Sequence, residues 1–191
     1  MKAIIEHLEP EVYPWCILEY RHISQIVGKD NLVFTNVPLH EHHKLKEFGN
    51  VKQESVKQLS FKRVCVLDPV AKQTLVPVDA NTFDYYLFGG ILGNFPMENR
   101  TEKELSQHLK QFLTRNIGPK QMSTDTAVLV VHKIIDEQVP FEQLKFVDEL
   151  EIELEEGYSQ VLPYRYLLKD GLPVLPEGLI AYLKDEDLFL E

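Results

Sequence analysis

The stretch "FDYYLFGGILGN", residues 83–94, is the part of this sequence that decides its fold. Its aromatic and apolar first half predicts a buried β-strand over residues 83–90. The predicted strand ends in Gly89 and Gly90, and Gly93 follows after an apolar pair. Glycine has no Cβ, so another group can approach its backbone closely. Open α/β sheets bind ligands at the carboxyl ends of their strands, and we therefore expect a ligand against these glycines.

Strands and helices alternate on both sides of this segment. Pro14 suits a first helical turn and Gly28 a helix end, and the apolar residues between them recur at helical spacing. Further patterns predict strands over residues 3–5, 31–37, 63–69 and 114–118, and helices over residues 99–113 and 122–139. Thr101, with Glu104 three residues later, predicts the N-cap of the helix over 99–113. This alternation is typical of an α/β fold with a largely parallel sheet.

The pattern changes near residue 146. Between residues 149 and 155, glutamates alternate with leucine and isoleucine, which predicts a strand with one acidic, solvent-facing side. Asp170 and Gly171 lie between two apolar runs, and this pair is typical of a hairpin turn. The sequence therefore predicts an α/β core, residues 1–145, and a C-terminal β-hairpin extension, residues 146–191, packed on that core.

Composition narrows the classes of function. The chain has 191 residues, with 20 Lys plus Arg against 30 Asp plus Glu and a formal net charge of −10. Such a charge gives no general attraction for nucleic acid and favours a cationic partner. Cys16 and Cys65 lie singly in apolar segments, as expected for buried thiols in a reducing compartment, here the cytoplasm. No apolar run approaches the roughly 18 residues of a membrane span, so no membrane partner is expected.

Several common motifs are missing. "GGILG", residues 89–93, is not the G-x-G-x-x-G of dinucleotide sites, and the sequence has neither a phosphate-binding P-loop nor a G-x-S-x-G nucleophile elbow. "HEHHK", residues 40–44, has Lys44 where the zinc motif H-E-x-x-H needs histidine, so we expect a loop and no metal. A second glycine-bearing loop, "NIGPKQMSTDTA" at 116–127, leads into a helix capped by Ser123 or Thr124. Two such loops in one small α/β domain indicate a ligand site.

Two of these segments, "FDYYLFGGILGNFPMENRT" (83–101) and "IGPKQMSTDTA" (117–127), resemble a known family. The resemblance extends over nearly the whole chain through "IIEHLEP" (4–10), "WCILEY" (15–20), "VCVLDP" (64–69), "LPYRY" (162–166) and "LPEGL" (175–179). It is a family of SPOUT-class, S-adenosylmethionine-dependent methyltransferases that includes the fungal enzyme acting on an arginine of a small-subunit ribosomal protein. The chain departs from the family at Asn94, where an acidic residue is common.

The resemblance implies a fold and a cofactor. In SPOUT enzymes the C-terminal part of the largely parallel sheet is tied in a deep trefoil knot, one of the rare exceptions to unknotted chains. S-adenosyl-L-methionine binds bent within the knot loops, whose backbone groups read its adenine. Arg100 is expected to hold the knot loop or the cofactor's carboxylate. The predicted cofactor-binding residues are Leu67, Phe88, Gly89, Gly90, Ile91, Leu92, Gly93, Arg100, Ile117, Gly118, Gln121, Met122, Thr124 and Ala127.

The implied activity is that of a protein arginine N-methyltransferase acting on a basic ribosomal protein. A guanidinium is protonated at ordinary pH, so carboxylates are needed to orient it and to accept a proton. We predict Glu6 and Glu19 as catalytic residues, and Glu9 and Trp15 as substrate-binding residues. The alternatives are a SPOUT RNA methyltransferase, which the net charge disfavours, and an S-adenosylmethionine-binding scaffold without turnover. A monomer is favoured over a homodimer, because the extension is expected to cover the surface through which most SPOUT enzymes dimerise.

Overall fold

A six-stranded parallel sheet forms the centre of the protein. The computed structural model describes residues 1–93, 98–155 and 157–187. The strands of this sheet are β1 (Lys2–His7), β2 (Leu32–Thr35), β3 (Asn50–Val51), β4 (Val64–Leu67), β5 (Tyr85–Gly90) and β6 (Leu113–Arg115). Their order is β3-β2-β1-β5-β4-β6, and every neighbouring pair is parallel. The predicted α/β class with a largely parallel sheet is confirmed.

Two of the helices pack together against the sheet. The first, α1, spans Pro14–Val27, with Pro14 in its first turn and Gly28 at its end in a positive-φ conformation, as the sequence predicts. A short helix α2 (His42–Leu45) follows β2, and α3 spans Thr124–Ile135. Both α1 and α3 bury an apolar face in the main core and contact each other. The N-termini of these two helices therefore lie near the carboxyl ends of the central strands.

The pairing of β5 with its neighbour extends further along the strand on one side than on the other. On one side, β1 pairs with β5 as far as His7 and Gly90. On the other side, the pairing of β4 with β5 ends at Val66 and Leu87. The chain leaves β4 at "DP", where proline cannot donate a ladder hydrogen bond. This difference opens a crevice between the carboxyl ends of β4 and β5.

The C-terminal part forms a second, antiparallel sheet, as predicted. It consists of β7 (Phe146–Glu155), β8 (Tyr158–Lys169) and β9 (Leu172–Pro173), followed by α4 (Leu179–Asp187). Asp170 and Gly171 have φ values of 53° and 81°, which fit the expected tight turn between β8 and β9. The apolar cluster of this sheet also takes in Trp15 and Leu18 of α1. The division of the chain into two units at residue 146 therefore stays a prediction.

The region between β5 and β6 differs from the sequence-based expectation. We predict one α-helix over residues 99–113, capped by Thr101. The structure instead has a π-helical turn at Thr101–Leu105 and a 3₁₀ turn at Ser106–His108, with Arg100 in the N-cap position. The chain enters β6 at Leu113, the last residue of the predicted helix, so the helical path has to end several residues earlier. Among the described residues, no helix is both long and apolar enough to cross a membrane.

Candidate functional site

A cavity opens at the carboxyl ends of β4, β5 and β6, where the crevice widens. Its free space, including the solvent-facing mouth, is about 860 Å³. Most of the predicted cofactor-binding residues line it: Leu67, Phe88, Gly89, Ile91, Gly93, Arg100, Ile117, Gly118, Gln121, Met122, Thr124 and Ala127. The two glycine-bearing loops predicted to form a site are thus brought together.

Two predicted cofactor residues do not line this cavity. Gly90 is buried, and a Cβ on it would meet the hydroxyl of Tyr20 and lie 2.9 Å from Cγ2 of Ile5. Gly90 is therefore bare because the core approaches it closely, and it offers no surface to the cavity. Leu92 lies on the other side of the loop, where it lines a second recess. The other residues of this second recess include Tyr13, Trp15, Glu19, Tyr164 and Tyr182. Asn94, the departure from the family pattern, lies outside the described residues.

The loops after β5 and β6 touch each other at a glycine. A Cβ on Gly93 would overlap the side-chain amide of Gln121 and lie 2.8 Å from Cε1 of Tyr164. Tyr164 also donates a 2.8 Å hydrogen bond from its hydroxyl to the carbonyl oxygen of Gly93. The C-terminal sheet reaches the other loop as well, because the backbone N–H of Arg165 donates to the carbonyl oxygen of Gln121 at 2.8 Å. Both cavity loops are therefore fixed by β8.

Sequence reasoning missed several polar residues of the cavity wall. They carry both signs of charge and are Asp68, Glu98, Glu102 and Lys120. The position of "DP" directly after a buried strand is the signal that could have found Asp68, since strand ends of this sheet type form sites. Glu98 and Glu102 lie between β5 and β6, where the sequence did not predict the path of the chain. Lys120 lies in the predicted glycine-bearing loop before α3, but no sequence signal singled it out.

Arg100 and Glu9 hold the loop that forms one wall. Oε1 of Glu9 accepts hydrogen bonds from the backbone N–H of Leu92 at 2.9 Å and from Nη1 of Arg100 at 2.8 Å. Arg100 also pairs with Glu104 through Nε at 2.7 Å. These carboxylates raise the pKa of the guanidinium, the Glu104 hydrogen bond most strongly. Glu9 therefore holds the loop in place through these two hydrogen bonds, and its negative charge forms an ion pair with Arg100. We call this pair the clamp.

Glu6 is not brought to the cavity. Its side chain is 1% exposed, and its carboxylate accepts from the Thr35 hydroxyl, the Ser55 hydroxyl and the backbone N–H of Val56. Ser55 and Val56 thereby anchor the segment after β3 to the end of β1, and Thr35 joins the end of β2 to it. A carboxylate so surrounded contributes to the fold and has no free side for a substrate.

Glu19 and Trp15, in contrast, lie together beside the cavity loops. Nε1 of Trp15 donates to Oε1 of Glu19 at 2.7 Å, and the backbone N–H of Thr124 donates to Oε2 at 3.1 Å. Burial, followed by the negative charge of Asp125, raises the pKa of Glu19 to about 8. Glu19 thus caps the N-terminus of α3 from outside while one side of it faces the second recess.

Behind Glu19 lies a buried pair that the sequence did not reveal. Asp125 is 0% exposed, and its Oδ2 is 2.7 Å from Nδ1 of His22. Its Oδ1 has no hydrogen-bond partner among the described residues. The sequence suggests only that Asp125 complements the positive end of a helix, whereas the structure also places it in the field of Glu19.

Comparison with known proteins identifies relatives along the whole chain. Residues 2–188 match the family described as "Protein arginine N-methyltransferase SFM1-like". The chain is 36% identical over 203 residues to Protein arginine N-methyltransferase SFM1 of Saccharomyces cerevisiae, covering 97% of this chain and 95% of the relative. The resemblance inferred from the sequence is confirmed.

Solved structures agree with these matches. The crystal structure of yeast SFM1 complexed with SAM has a TM-score of 0.89 at 35% identity, covering 98% of this chain and 91% of that chain. The complex with SAH has a TM-score of 0.88 at 36% identity, covering 96% and 94%. Trm10 from Thermococcus kodakaraensis, at 14% identity and a TM-score of 0.57 over 75% of this chain and 96% of that one, is similar in fold alone.

Proposed function

The chain belongs to the SFM1-like family of protein arginine N-methyltransferases, and from this premise we propose that it methylates an arginine of a basic ribosomal protein. The proposal rests on one observation, which is that the cavity and the second recess lie side by side. One is the glycine-lined cavity, and the other is the recess that contains Glu19 and Trp15. Ile91 and Gly93 belong to both, so a donor and an acceptor can meet across one short strip of loop.

The cavity fits S-adenosylmethionine, the cofactor found in the yeast SFM1 complex. Leu67, Ile117 and Met122 give an apolar slot, as an adenine ring requires. Gly89 and Gly118, the latter with φ +92°, also line this wall, and a Cβ on either would meet Ile91 or Phe141. Arg100 holds the loop over the cavity through Glu9 and Glu104, and its contact with the cofactor's carboxylate stays a prediction. The residues that would hold the cofactor are the predicted ones that line the cavity, without Gly90 and Leu92.

Bound there, S-adenosylmethionine supplies a methyl group on a positively charged sulfur. The residues of the chain then have to hold the acceptor nitrogen near that methyl and to remove a proton. A guanidinium that gains a methyl group must lose one proton, because the product is again a singly charged cation. We assign this role to Glu19, because its raised pKa makes its ionised form a stronger base than an exposed glutamate.

The substrate class follows from charge. The net charge of −10 repels RNA and attracts basic proteins. On the hairpin, Glu151 and Glu153 are exposed on one face, on the same extension whose Tyr164 contacts the cavity loop. A basic segment of a ribosomal protein is attracted by this face when it presents its arginine. RNA methylation is the competing outcome of the test below.

Three further expectations belong to this proposal. The backbone N–H of Asn116 donates to the carbonyl of Gln73, and that of Leu75 to the carbonyl of Asn116. The loop after β4 thus lies against the segment after β6, which supports the proposed trefoil knot.

Free, buried Cys16 and Cys65 support a reducing, cytoplasmic setting. We also propose a monomer. The C-terminal extension packs on the core through β8 and α3, and we expect it to cover the surface through which most SPOUT enzymes dimerise. Light scattering tests the oligomeric state.

The proposed substrate is tested with small ribosomal subunits separated into protein and RNA fractions. Each fraction is incubated with the enzyme and S-adenosylmethionine that carries a radiolabelled methyl group. We expect label in the protein fraction alone. Label confined to RNA would replace the proposal with an RNA methyltransferase, and saturable cofactor binding without label in either fraction would replace it with a binding protein.

A further inference from the structure

The buried pair of His22 and Asp125 lies behind Glu19, between two helices. His22 is on α1, three residues after Glu19, and Asp125 is in the first turn of α3. Nδ1 of His22 lies 2.7 Å from Oδ2 of Asp125. Among the described residues that line the cavity and the second recess, neither member of the pair is found. Contact with cofactor or substrate therefore does not explain the pair.

The charge of Asp125 depends on His22. Asp125 is 0% exposed, and its Oδ1 has no hydrogen-bond partner among the described residues. Within the described part of the chain Asp125 forms one ion pair, which is with His22. A buried carboxylate that loses its donor takes up a proton, because an unpaired charge is costly away from water. The hydrogen bond from His22 is thus what allows Asp125 to stay ionised.

Glu19 is held at the same helix start. The backbone N–H of Thr124, the residue before Asp125, donates to Oε2 of Glu19 at 3.1 Å. Ser123, in the N-cap position of α3, makes no capping hydrogen bond with its side chain, which donates to Oγ1 of Thr126. The carboxylate of Glu19 therefore takes the place of the usual cap, and it meets the start of α3 beside a second carboxylate.

The two carboxylates have different partners. Glu19 accepts from the indole N–H of Trp15 and from a backbone N–H, which are both neutral donors. Asp125 accepts from a histidine, which can carry a positive charge. Because two neighbouring buried carboxylates resist ionising together, Asp125 keeps the negative charge and Glu19 keeps a proton. This agrees with the pKa of Glu19, which burial and then the charge of Asp125 raise to about 8.

The other titratable side chains around Glu19 do not carry the charge that Asp125 carries. Burial raises the pKa of each of those on α1 and β8, which are Cys16, Tyr20, Tyr164 and Tyr166. From α4, Tyr182 lines the same recess, and tyrosine is uncharged near neutral pH. Glu9, which acts on Cys16 and Tyr20, is paired with Arg100 in the clamp.

We propose that His22 and Asp125 are positioning residues for methyl transfer, in that His22 keeps Asp125 ionised and the charge of Asp125 makes Glu19 a strong proton acceptor. The inference rests on the proposed function, in which Glu19 receives the proton of the acceptor guanidinium. That proton moves from nitrogen to a carboxylate oxygen of Glu19, and none passes to Asp125 or His22. A negative charge beside Glu19 favours its protonated form, so Glu19 takes the proton more readily than an isolated glutamate.

The proton affinity of Glu19 can be measured without methyl transfer. Denaturant unfolding of the full-length protein and of Glu19→Gln is followed at a series of pH values. The stability of the wild type relative to Glu19→Gln should fall as pH rises, until Glu19 ionises in the folded protein at about pH 8. Repeating the comparison in Asp125→Asn should move this end point down by about one pH unit or more. An end point that Asp125→Asn leaves unchanged would overturn the proposal.

Variants of His22 test the other half of the pair by the same comparison. His22→Leu removes the donor and should lower the end point as Asp125→Asn does. His22→Asn places an amide N–H near the position of Nδ1 and should return the end point toward the wild-type value. Asp30→Asn removes an exposed carboxylate near the end of α1 and should have no effect. Equal end points for His22→Leu and His22→Asn would overturn the proposal, whereas a purely structural defect would lower stability at every pH alike.

The pH dependence of kcat/KM gives a second measurement and separates this inference from the proposed function. In Asp125→Asn the rise of kcat/KM should end at a lower pH by the same shift, and its plateau should fall by about threefold or more because the base is weaker. Methyl transfer to ribosomal protein together with unshifted end points in Asp125→Asn and His22→Leu would overturn the role of the pair alone. Shifted end points support that role, whichever fraction carries the label.

Discussion

The indole Nε1 of Trp15 donates a 2.7 Å hydrogen bond to Oε1 of Glu19, one turn further along α1. Residues four apart on a helix lie on the same face, so the pair is built into the helix and does not depend on a substrate. The hydrogen bond turns the carboxylate toward the aromatic recess, and Thr124 at the start of α3 holds its other oxygen. This relationship links Trp15, a wall of the recess, to Glu19, the carboxylate that we propose as the proton acceptor.

Replacing Glu19 by Gln should slow methyl transfer without affecting the cofactor. The amide keeps the size of the side chain but cannot accept the guanidinium proton. The single-turnover rate should fall by about 10²-fold or more, the scale of a lost general base. Cofactor affinity, measured by calorimetry, should stay within a few-fold. Glu11→Gln changes an exposed acid near the start of the same helix and should leave both quantities unchanged.

An unchanged transfer rate in Glu19→Gln would move the proton acceptor elsewhere. Asp125, buried behind Glu19 with one oxygen lacking a described partner, would then be the next residue to change.

The raised pKa of Glu19 predicts a pH dependence of both activity and stability. The folded protein keeps the Glu19 proton up to about pH 8, whereas an unfolded chain releases it near 4.5. The unfolding free energy therefore falls as pH rises between these values, by up to about 1.4 kcal/mol per unit for one group. Since the ionised form acts as base, kcat/KM should rise through the same range and level off above about pH 8.

Denaturant unfolding at a series of pH values checks this assignment. Glu19→Gln has no proton to lose, so its stability relative to the wild type should increase from pH 5 upward. A stability difference that stays constant over this range would contradict a protonated Glu19 in the folded state.

The adjacent glycines of β5 should respond differently to substitution. A Cβ at Gly90 meets Tyr20, Ile5 and backbone, so Gly90→Ala should lower stability by roughly 1–3 kcal/mol through overpacking. Its cofactor affinity, once folded, should match the wild type. A Cβ at Gly89 meets the flexible end of Ile91, at 2.9 Å, in the cavity wall. Gly89→Ala should therefore weaken cofactor binding more than it lowers stability.

Thermal denaturation and calorimetric titration of the two variants provide the comparison. Loss of cofactor affinity in Gly90→Ala with an unchanged melting temperature would return Gly90 to the binding site.

Several features could be read from the sequence because they depend on local chemistry. Pro14 and Gly28 predict the ends of α1, and the glycines after the aromatic run predict the position of the cavity. The difference between Glu6 and Glu19 could not be predicted. Glu6 lies at the end of β1, and the donors that bury it come from the segment after β3, far along the chain. Which acid meets substrate is decided by tertiary packing.

The same limit applies to Gly90 and to the region after β5. Neighbouring strand residues point to opposite faces, but only the packing of Tyr20 of α1 shows which face is core. The capping-box spacing at Thr101 is a local signal that was wrong because the chain has to enter β6 early and because Arg100 is held by Glu9 and Glu104. Tertiary contacts outweigh a helix propensity of this size.

The clamp between Glu9 and Arg100 should matter for cofactor binding. Glu9→Ala removes the acceptor of both the Leu92 N–H and the Arg100 guanidinium, so the loop over the cavity loses its anchor. The cofactor dissociation constant should rise by about tenfold, the scale of one charged hydrogen bond. Glu104→Ala removes the other partner of Arg100, which is more exposed, and should cost less than about threefold. Equal effects in calorimetry would contradict the role of Glu9.

The acidic face of the hairpin should attract the substrate. Changing Glu151 and Glu153 to Gln removes two exposed charges and should raise KM for the ribosomal protein by roughly two- to fivefold at low salt. The effect should shrink at high salt, because exposed charges are screened. Changing Glu47 and Glu54, exposed acids near β3, removes the same charge elsewhere and should leave KM unaltered. If KM rises equally in both double variants, the effect comes from the net charge of the protein, and the acidic face has no specific role.

The most direct test of the central claim is to identify the atom that receives the methyl group. The enzyme is incubated with small-subunit ribosomal proteins and S-adenosylmethionine carrying a trideuterated methyl group, and the proteins are digested and sequenced by mass spectrometry. We predict the heavy methyl group on a guanidino nitrogen of arginine, at a level that Glu19→Gln reduces by about 10²-fold. A heavy methyl group on lysine or histidine, or on a nucleotide of contaminating RNA instead of protein, would contradict the account.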